Sequence, residues 1–370
     1  MKVLMVAPSV RVPDTLGQTL HQLALANGLA KRGVQVTLLC RYDPDKLKED
    51  FNNNLTFLSI NDPKMPFERL FFTYNSYKST LKELKTKNYD LVHDRGYIFA
   101  GSGVRAASES GVKSILQVDD NWIRSERSAT KFAKYWLYNK KAMESCYNQI
   151  EKADGGFAVS AVLRDQITKW NSKAVSFEVI QNGYESDLFL PNAKPLGIKE
   201  ELGINGKLAV FVGALGPWHG IEEIISVAKD NPSLGVVVAG GGYGKNLPTL
   251  DNLHHIGRLE RDKVPRLLVE ADIGLAPYPN LDYGFSPLKI YEYMGCKLPV
   301  FATDLPSVRE ATEGKAFLAK PGTLSSLVSD KINDREELNR IGESAYNYAI
   351  KRRTWDNTID ETIKLYQKII

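Results

Sequence analysis

Apolar residues recur along this chain in two alternating periods. Short continuous apolar runs at 2–7, 34–40, 55–60, 91–94, 114–118, 156–160 and 177–181 have the length and branching of strands buried on both faces. Between them lie segments with helical spacing, at 20–32, 68–87, 100–110, 129–150 and 161–170. In the first, Leu20, Leu23, Ala24, Leu29 and Ala30 make one stripe and Gly33 ends the helix. A stretch rich in Gly, Pro and Asn, 182–199, reads as a linker. The alternation then restarts, with strands at 208–213, 236–239, 253–256, 273–277, 298–303 and 316–319. Helices are predicted at 221–229, 262–271, 324–329, 335–351 and 355–370, and a short one opens near Pro287. Repeated strand–helix units predict an α/β chain of two doubly wound parallel sheets with helices on both faces. The expected division is 1–188 with the last helix 355–370, and 189–354. Ligands of such sheets bind beyond the carboxyl ends of the strands, so a cleft between the two domains is the expected site.

The most informative stretch is 282–303, DYGFSPLKIYEYMGCKLPVFAT. Ser286 reads as a helix cap and Pro287 as the first helical residue, with Leu288 following and Gly295 at the stop. A helix N-terminus facing a loop favours an anion, because its free N–H groups and its dipole point the same way. Lys289 and Glu292 lie three apart and share one face. Glu292 is about 7.5 Å along the axis from Pro287 at ~1.5 Å per residue. A cation beside an anion with a hydroxyl acceptor one step further in suits a phosphate joined to a sugar; an ordinary surface ion pair is the plain alternative.

Four more loops follow strand ends. In 9–17, Gly17 allows close approach to a ligand at the next helix, and His21 lies just inside that helix, where a structural role competes with an acceptor contact. In 117–122, Asp119 and Asp120 are adjacent carboxylates costly to desolvate unless they meet hydroxyls or cations, with Asn121 beside them; a solvated turn reads equally well. His93-Asp94-Arg95 ends the neighbouring strand and is expected to line the same cavity. The loop 213–220 carries Gly213, Ala214, Gly216, Pro217, Trp218 and His219, a glycine-rich strand-to-helix turn suited to cradling a diphosphate, with His219 able to add charge if protonated. The fourth, 240–244, holds Gly241.

Bulk properties narrow the classes. The chain has 370 residues, enough for two cored domains, and a net charge of +4. That balance gives no nucleic-acid footprint. Cys40, Cys146 and Cys296 have no metal-ligand spacing and cannot all pair, which predicts a reducing, cytoplasmic setting. Pro8 interrupts the N-terminal apolar run too soon for a signal peptide, and no run reaches the ~20 residues of a membrane span. HxH, HExxH and CxxC are absent, so no metal is expected; the lack of GxxxxGK[ST] and GxSxG removes NTPase and serine-hydrolase readings. The basic, aromatic 129–150 helix, with Lys131, Lys134, Trp136, Lys140 and Lys141, suits either packing on the sheet or peripheral contact with an anionic membrane face. Phe67, Phe71, Phe72 and Tyr74 read as core.

With these pieces laid out, the chain resembles the retaining nucleotide-sugar glycosyltransferases of family 4, which have the two-domain GT-B fold. The resemblance spans nearly the whole length through LAKRGVQVTLL, AVSAVLRDQI, VIQNGYESDLFLP, FVGALGPWHGIEEII, HHIGRL and the SPLKxxEYM–G–PV arrangement. It implies metal-independent transfer from an NDP-sugar, with no cofactor, to a hydroxyl of a glycan or lipid-linked acceptor. Glu292 would hold the donor ribose, Ser286 to Lys289 would meet the diphosphate, and Gly17 would touch it from the N-terminal side. Donor contacts are further expected from Gly213, Gly216, Pro217, His219, Gly241 and Arg258, and acceptor contacts from His21, Arg95 and Asn121. Lys289 and one of Asp119 or Asp120 are expected to act in catalysis. The chain departs from the family at Gly284 (commonly Glu), at Ala214 and His219 (commonly Arg and Lys) and at Asp119 (commonly His). A non-catalytic nucleotide-sugar-binding protein or partner subunit is therefore the competing reading, with an NDP-sugar epimerase as a third.

Overall fold

Strand β1 (Lys2–Val12) opens the chain and sits at the centre of the first sheet. Residues 1–14, 17–46, 51–60, 68–123, 136–242 and 247–370 are described in the computed structural model. They form two units: Met1–Gln181 with Tyr283–Phe285 and Thr358–Ile370, and Asn182–Asp282 with Ser286–Asn357.

In unit 1 the remaining strands are β2 (Gln35–Tyr42), β3 (Leu55–Ser59), β4 (Leu91–Arg95), β5 (Ser114–Val118), β6 (Gly155–Ala158) and β7 (Glu178–Val179), all parallel in the order 3-2-1-4-5-6-7. Their helices are α1 (Gly17–Lys31), α2 (Glu68–Thr86), α3 (Ser102–Ser110), α4 (Trp136–Lys152) and α5 (Ala161–Ile167). Every residue of β4 and β5 is buried, as strands covered on both faces must be. β1 outruns its predicted end at residue 7. Pro8 lacks the N–H a ladder needs, and the pairing with β2 shifts register between Val6 and Arg11 before resuming.

Unit 2 repeats the design. Strands β8 (Leu208–Val212), β9 (Gly235–Ala239), β10 (Leu253–Gly257), β11 (Ile273–Ala276), β12 (Val300–Thr303) and β13 (Phe317–Ala319) run parallel in the order 10-9-8-11-12-13. The helices are α6 (Ile198–Glu201), α7 (Ile221–Asp230), α8 (Lys263–Leu268), α9 (Leu288–Gly295), α10 (Pro306–Thr312), α11 (Leu324–Lys331), α12 (Arg335–Arg352) and the start of α13 (Trp355–Ile369). One core joins β8, β9 and β11 to α7 and α12 through Phe211, Ile224, Val238, Leu275 and Ile341. Most of α13 belongs to unit 1, where Tyr366 is fully buried and Lys368 pairs with Glu178 at 2.6 Å.

Several expectations need correction. Ser286 does not cap α9: Pro287 holds the cap position at φ −86°, ψ 83°, with no side-chain cap bond, and the helix begins at Leu288. The Ser286 hydroxyl instead accepts from the Asn182 N–H at 3.4 Å. α10, opened by Pro306 at its first turn, was not predicted, and the last strand of unit 1 shrinks to two residues. Residues 129–135, including Lys131 and Lys134, and residues 243–244 lie outside the described residues, as do Phe67 and the side chains of Phe71 and Phe72. Tyr74 is not core, being 54% exposed.

Candidate functional site

In each sheet the strand order reverses direction once beside the first strand, between β1 and β4 in unit 1 and between β8 and β11 in unit 2. Side chains at the carboxyl ends of those strands are the ones a doubly wound sheet offers to a ligand. Both places carry an unusual arrangement.

In unit 2 the chain leaves β8 at Gly213 (φ +153°), whose N–H donates to the Ala239 carbonyl at 2.9 Å. Beside it Gly240 (φ +149°) lies so close that a Cβ there would overlap the Gly213 carbonyl oxygen. Two glycines at adjacent strand ends thus let the backbones meet. A Cβ on Gly213 would itself come 2.8 Å from Nζ of Lys289. Lys289 stands in the first turn of α9, with its ammonium buried 3.9 Å from the Phe211 ring centroid and 5.8 Å from that of Tyr278. Nζ has no hydrogen-bond partner among the described residues. Burial pulls its pKa down to about 7, with Glu292 opposing.

His219 lies edge-on to Phe211, with ring centroids 5.8 Å apart. Its Nδ1 faces the Ala214 carbonyl, an acceptor only, so Nδ1 carries the hydrogen and the free Nε2 is itself an acceptor. Burial, then the neighbouring Lys289, lowers its pKa to about 3. The ring is neutral at ordinary pH and brings no charge to a phosphate, which corrects the protonated role offered to it. Gly216 is buried against the Trp218 ring, Pro217 is exposed, and the Arg258 stem runs over Gly241 with Cγ 3.6 Å from where a Cβ would stand.

One turn further along α9, Glu292 is 7% exposed. Its Oε1 meets Nη2 of Arg261 at 2.6 Å, and the same nitrogen lies 2.6 Å from Oε2 of Glu185. Burial raises the Glu292 pKa, and Arg261 pulls part of the way back. The HHIGRL run points to Arg258 but not to Arg261, which lies only three residues later. A basic residue in a polar turn carries no signal that a buried carboxylate awaits it.

In unit 1, Arg95 ends β4 and Asp119 follows β5. Arg95 Nε donates to Asp119 Oδ2 at 2.6 Å, and Arg95 Nη1 donates to the Ser9 hydroxyl at 2.9 Å. Asp119 Oδ1 accepts from Gln117 Nε2 at 2.7 Å. Since that amide donates to Asp119, its oxygen faces His93 Nε2 at 2.8 Å and accepts, which leaves His93 Nδ1 to accept from the Tyr366 hydroxyl at 2.6 Å. His93 is held neutral by burial, with its pKa at about 4. His21 Nδ1 stands 3.8 Å from Asp119 Oδ2, and burial lowers its pKa despite that carboxylate. Burial opposes ionisation of Asp119, yet Arg95, His21 and Gln117 together hold its pKa below the ordinary value. Asp119 is therefore braced from three sides rather than one of two loose carboxylates. Asp120 is half-buried, and Asn121 donates from Nδ2 to Gln166 Oε1 at 3.2 Å. Gly17 starts α1, and a Cβ there would meet nothing within 4 Å. No local pattern points to Tyr366, which is 273 residues from His93 along the chain.

Gly284, counted with unit 1, donates its N–H to Gln166 Oε1 at 2.9 Å, and a Cβ there would lie 2.6 Å from the Leu163 Cα. No group of three or more His, Cys, Asp or Glu side chains among the described residues is placed to hold a metal ion.

The family model for Glycosyltransferase Family 4 matches residues 16–188, and that for Glycosyl transferases group 1 matches 198–348. The putative teichuronic acid biosynthesis glycosyltransferase TuaH of Bacillus subtilis is 24% identical over 57% of this chain and 55% of its own. A D-inositol 3-phosphate glycosyltransferase of Mycolicibacterium gilvum is 25% identical over 52% of this chain and 47% of its own. The chain thus spans about half the length of these curated relatives. Among solved structures, sucrose-phosphate synthase of Thermosynechococcus elongatus superposes with a TM-score of 0.80 over 99% of this chain and 98% of its own, at 16% identity. HepE of Anabaena, solved with UDP-glucose, superposes with a TM-score of 0.75 over the full length of both chains at 17% identity. The two matched segments between them take in every strand of both sheets except β1, the fold is GT-B, and the chain belongs to the group 1 glycosyltransferases, with a family 4 N-terminal region.

Proposed function

We propose that this protein transfers a glycosyl group from a nucleoside-diphosphate sugar to a hydroxyl of a glycan or lipid-linked saccharide, with retention at the anomeric carbon and without a metal ion. The observation that carries the reading is the buried ammonium of Lys289 at the β8–β11 switch point, without a hydrogen-bond partner among the described residues and one helical turn from a carboxylate. A cation left without a partner inside a protein is costly unless an anion joins it. A diphosphate supplies that anion and the Glu292 carboxylate suits its ribose. The solved relative holding UDP-glucose supports the donor class.

In this mechanism Lys289 and the α9 N-terminus stabilise the charge that builds on the departing diphosphate. The glycine-containing turn 216–220 and the open face of Gly17 offer further approaches. His219, an acceptor at Nε2, faces a sugar hydroxyl rather than a phosphate oxygen. Asp119, braced by Arg95 and Gln117, presents fixed negative charge to the sugar being transferred. No helix among the described residues is long and apolar enough to cross a membrane. The exposed Trp136 (73%) and Leu137 (59%) of α4, beside Lys140 and Lys141, suit peripheral contact with an anionic membrane carrying a lipid-linked acceptor.

A thermal-shift screen with UDP, GDP, ADP and their sugars, followed by assay of released nucleotide with an acceptor panel, tests the reading. Stabilisation by a nucleotide sugar and its loss in Glu292→Ala are expected. Failure of every nucleotide to bind overturns it. Binding without turnover on any acceptor favours the non-catalytic reading, for which the filled space around Gly284 is the specific observation.

A further inference from the structure

We propose that Arg261 is a positioning residue for nucleotide recognition: it holds one oxygen of Glu292 so that the other is presented to the ribose. The inference rests on the reading of Glu292 as the ribose carboxylate and adds the group that makes it effective. Arg261 Nη2 bridges Glu292 Oε1 and Glu185 Oε2, each at 2.6 Å, and Nε donates to Glu185 Oε2 at 2.8 Å. Its guanidinium lies 4.5 Å from the ring centroid of Phe189, itself only 1% exposed. The plane is therefore fixed by an aromatic floor and by a second carboxylate that has no other described partner. Glu292 Oε2 has no described hydrogen bond. A carboxylate held at one oxygen by a rigid fork and open at the other is built to accept from a hydroxyl.

The alternative geometry, an arginine that plugs the site, would leave no free oxygen on Glu292. Here the close contact runs through Oε1. The titratable groups facing Glu292 are Arg261, Glu185 and Lys289, with the neutral Cys296 thiol and the Tyr278 and Tyr293 phenols. Without Arg261 only Lys289, itself half neutral near pH 7, opposes the burial that favours the uncharged acid.

The test compares the dissociation constants of UDP, GDP and ADP with those of their 2′,3′-dideoxy counterparts, in wild type and variants, from pH 6 to 9. The ratio isolates ribose recognition, because diphosphate contacts and the titration of Lys289 are common to both ligands. For whichever nucleotide binds, wild type is expected to favour the hydroxylated form by about tenfold or more. Arg261→Met should bring the ratio near one at pH 6, with partial recovery as rising pH ionises Glu292, and leave the dideoxy affinity within about twofold. Arg261→Lys should restore part of it. If Glu292→Gln loses discrimination but Arg261→Met keeps it, or gains it, the inference falls and the ribose reading stands. If Glu292→Gln keeps it, the reading itself falls. Should Arg261→Met not fold, Glu185→Gln carries the test, since it loosens Arg261 without touching Glu292; an unchanged ratio there at every pH overturns the inference.

Discussion

Lys289 is the residue whose titration most directly exposes the site. Burial takes its pKa from 10.5 to about 7. At ~1.36 kcal/mol per pH unit, that shift corresponds to as much as roughly 5 kcal/mol by which the unliganded fold disfavours the charged lysine. The sign follows from proton counting. Between about pH 7 and 10.5 the unfolded chain binds a proton at this position that the folded protein does not, so stability rises with pH across that window and is flat below it. Lys289→Met removes the effect. The variant should be more stable than wild type at pH 7, by up to ~5 kcal/mol less whatever the Phe211 contact contributes, and the gap should close as pH approaches 10.5.

Ligand binding reverses this ranking. A diphosphate placed at Nζ favours the ammonium, so a nucleotide sugar binding at pH 8 should take up about 0.9 proton, and its affinity should fall about tenfold per unit above pH 7. A nucleotide sugar has no phosphate titration near neutrality, which keeps the signal clean. Calorimetry in two buffers of different ionisation enthalpy reads the uptake directly, and urea unfolding across pH reads the stability. No proton uptake at pH 8, together with Lys289→Met no more stable than wild type at pH 7, would refute the picture of an unpaired buried cation.

Three further outcomes follow from the two sites. Asp119→Asn leaves the buried Arg95 without its charge partner and should cost unit 1 about 3–5 kcal/mol at pH 7. Because the Asp119 pKa is depressed below 3.8, the wild-type advantage is complete above that pH and fades as pH falls through the folded value, so the two proteins should converge near the acid limit of denaturation curves. Gly240→Ala should lose roughly 1–3 kcal/mol from backbone strain at φ +149° before the overlap with Gly213 is counted, whereas Gly17→Ala, with open space around it, should leave the melting temperature alone and weaken only nucleotide-sugar binding; equal melting temperatures for both would contradict the packing. Replacing Trp136 and Leu137 together by Ser should weaken binding to phosphatidylglycerol vesicles by about tenfold or more without altering donor affinity, and undiminished flotation would remove α4 as a membrane contact.

The strands were legible because parallel strands buried on both faces write continuous apolar runs, and β4, β5, β8 and β11 fall where those runs lie. Boundaries were less so wherever a local rule met a tertiary one. Pro8 looked like a strand end, but a shift of register lets β1 continue past it. Ser286 and Pro287 matched a helix-start pattern, yet the Ser286 hydroxyl is engaged by Asn182 and Pro287 takes the cap position. At the sites, individual residues such as Lys289, Glu292, Arg95 and Asp119 stood out because charge at a strand end or in a helix's first turns is conspicuous. Their partners did not. Arg261, Gln117 and Tyr366 are ordinary surface-compatible residues in sequence, and only long-range pairing gives them meaning.

The two switch points also differ in how their charges are settled, and that difference bears on what each can receive. Around Asp119 the protein has already supplied the counter-charge and the donors: Arg95 and Gln117 fill both oxygens, and the chain Tyr366–His93–Gln117 fixes every tautomer behind them. Such a network is complete without a ligand, so a neutral molecule such as a saccharide can add to it without bringing charge. Around Lys289 the ammonium lies against aromatic faces, with Glu292 one turn away, and its histidine neighbour is neutral. No hydrogen-bond partner among the described residues completes it, and an anion is a ligand that would. The proposed placing of diphosphate at unit 2 and of an uncharged sugar at unit 1 rests on what each cluster lacks, beside the likeness to other chains. A nucleotide that bound Lys289→Met as tightly as wild type would break that argument at its root.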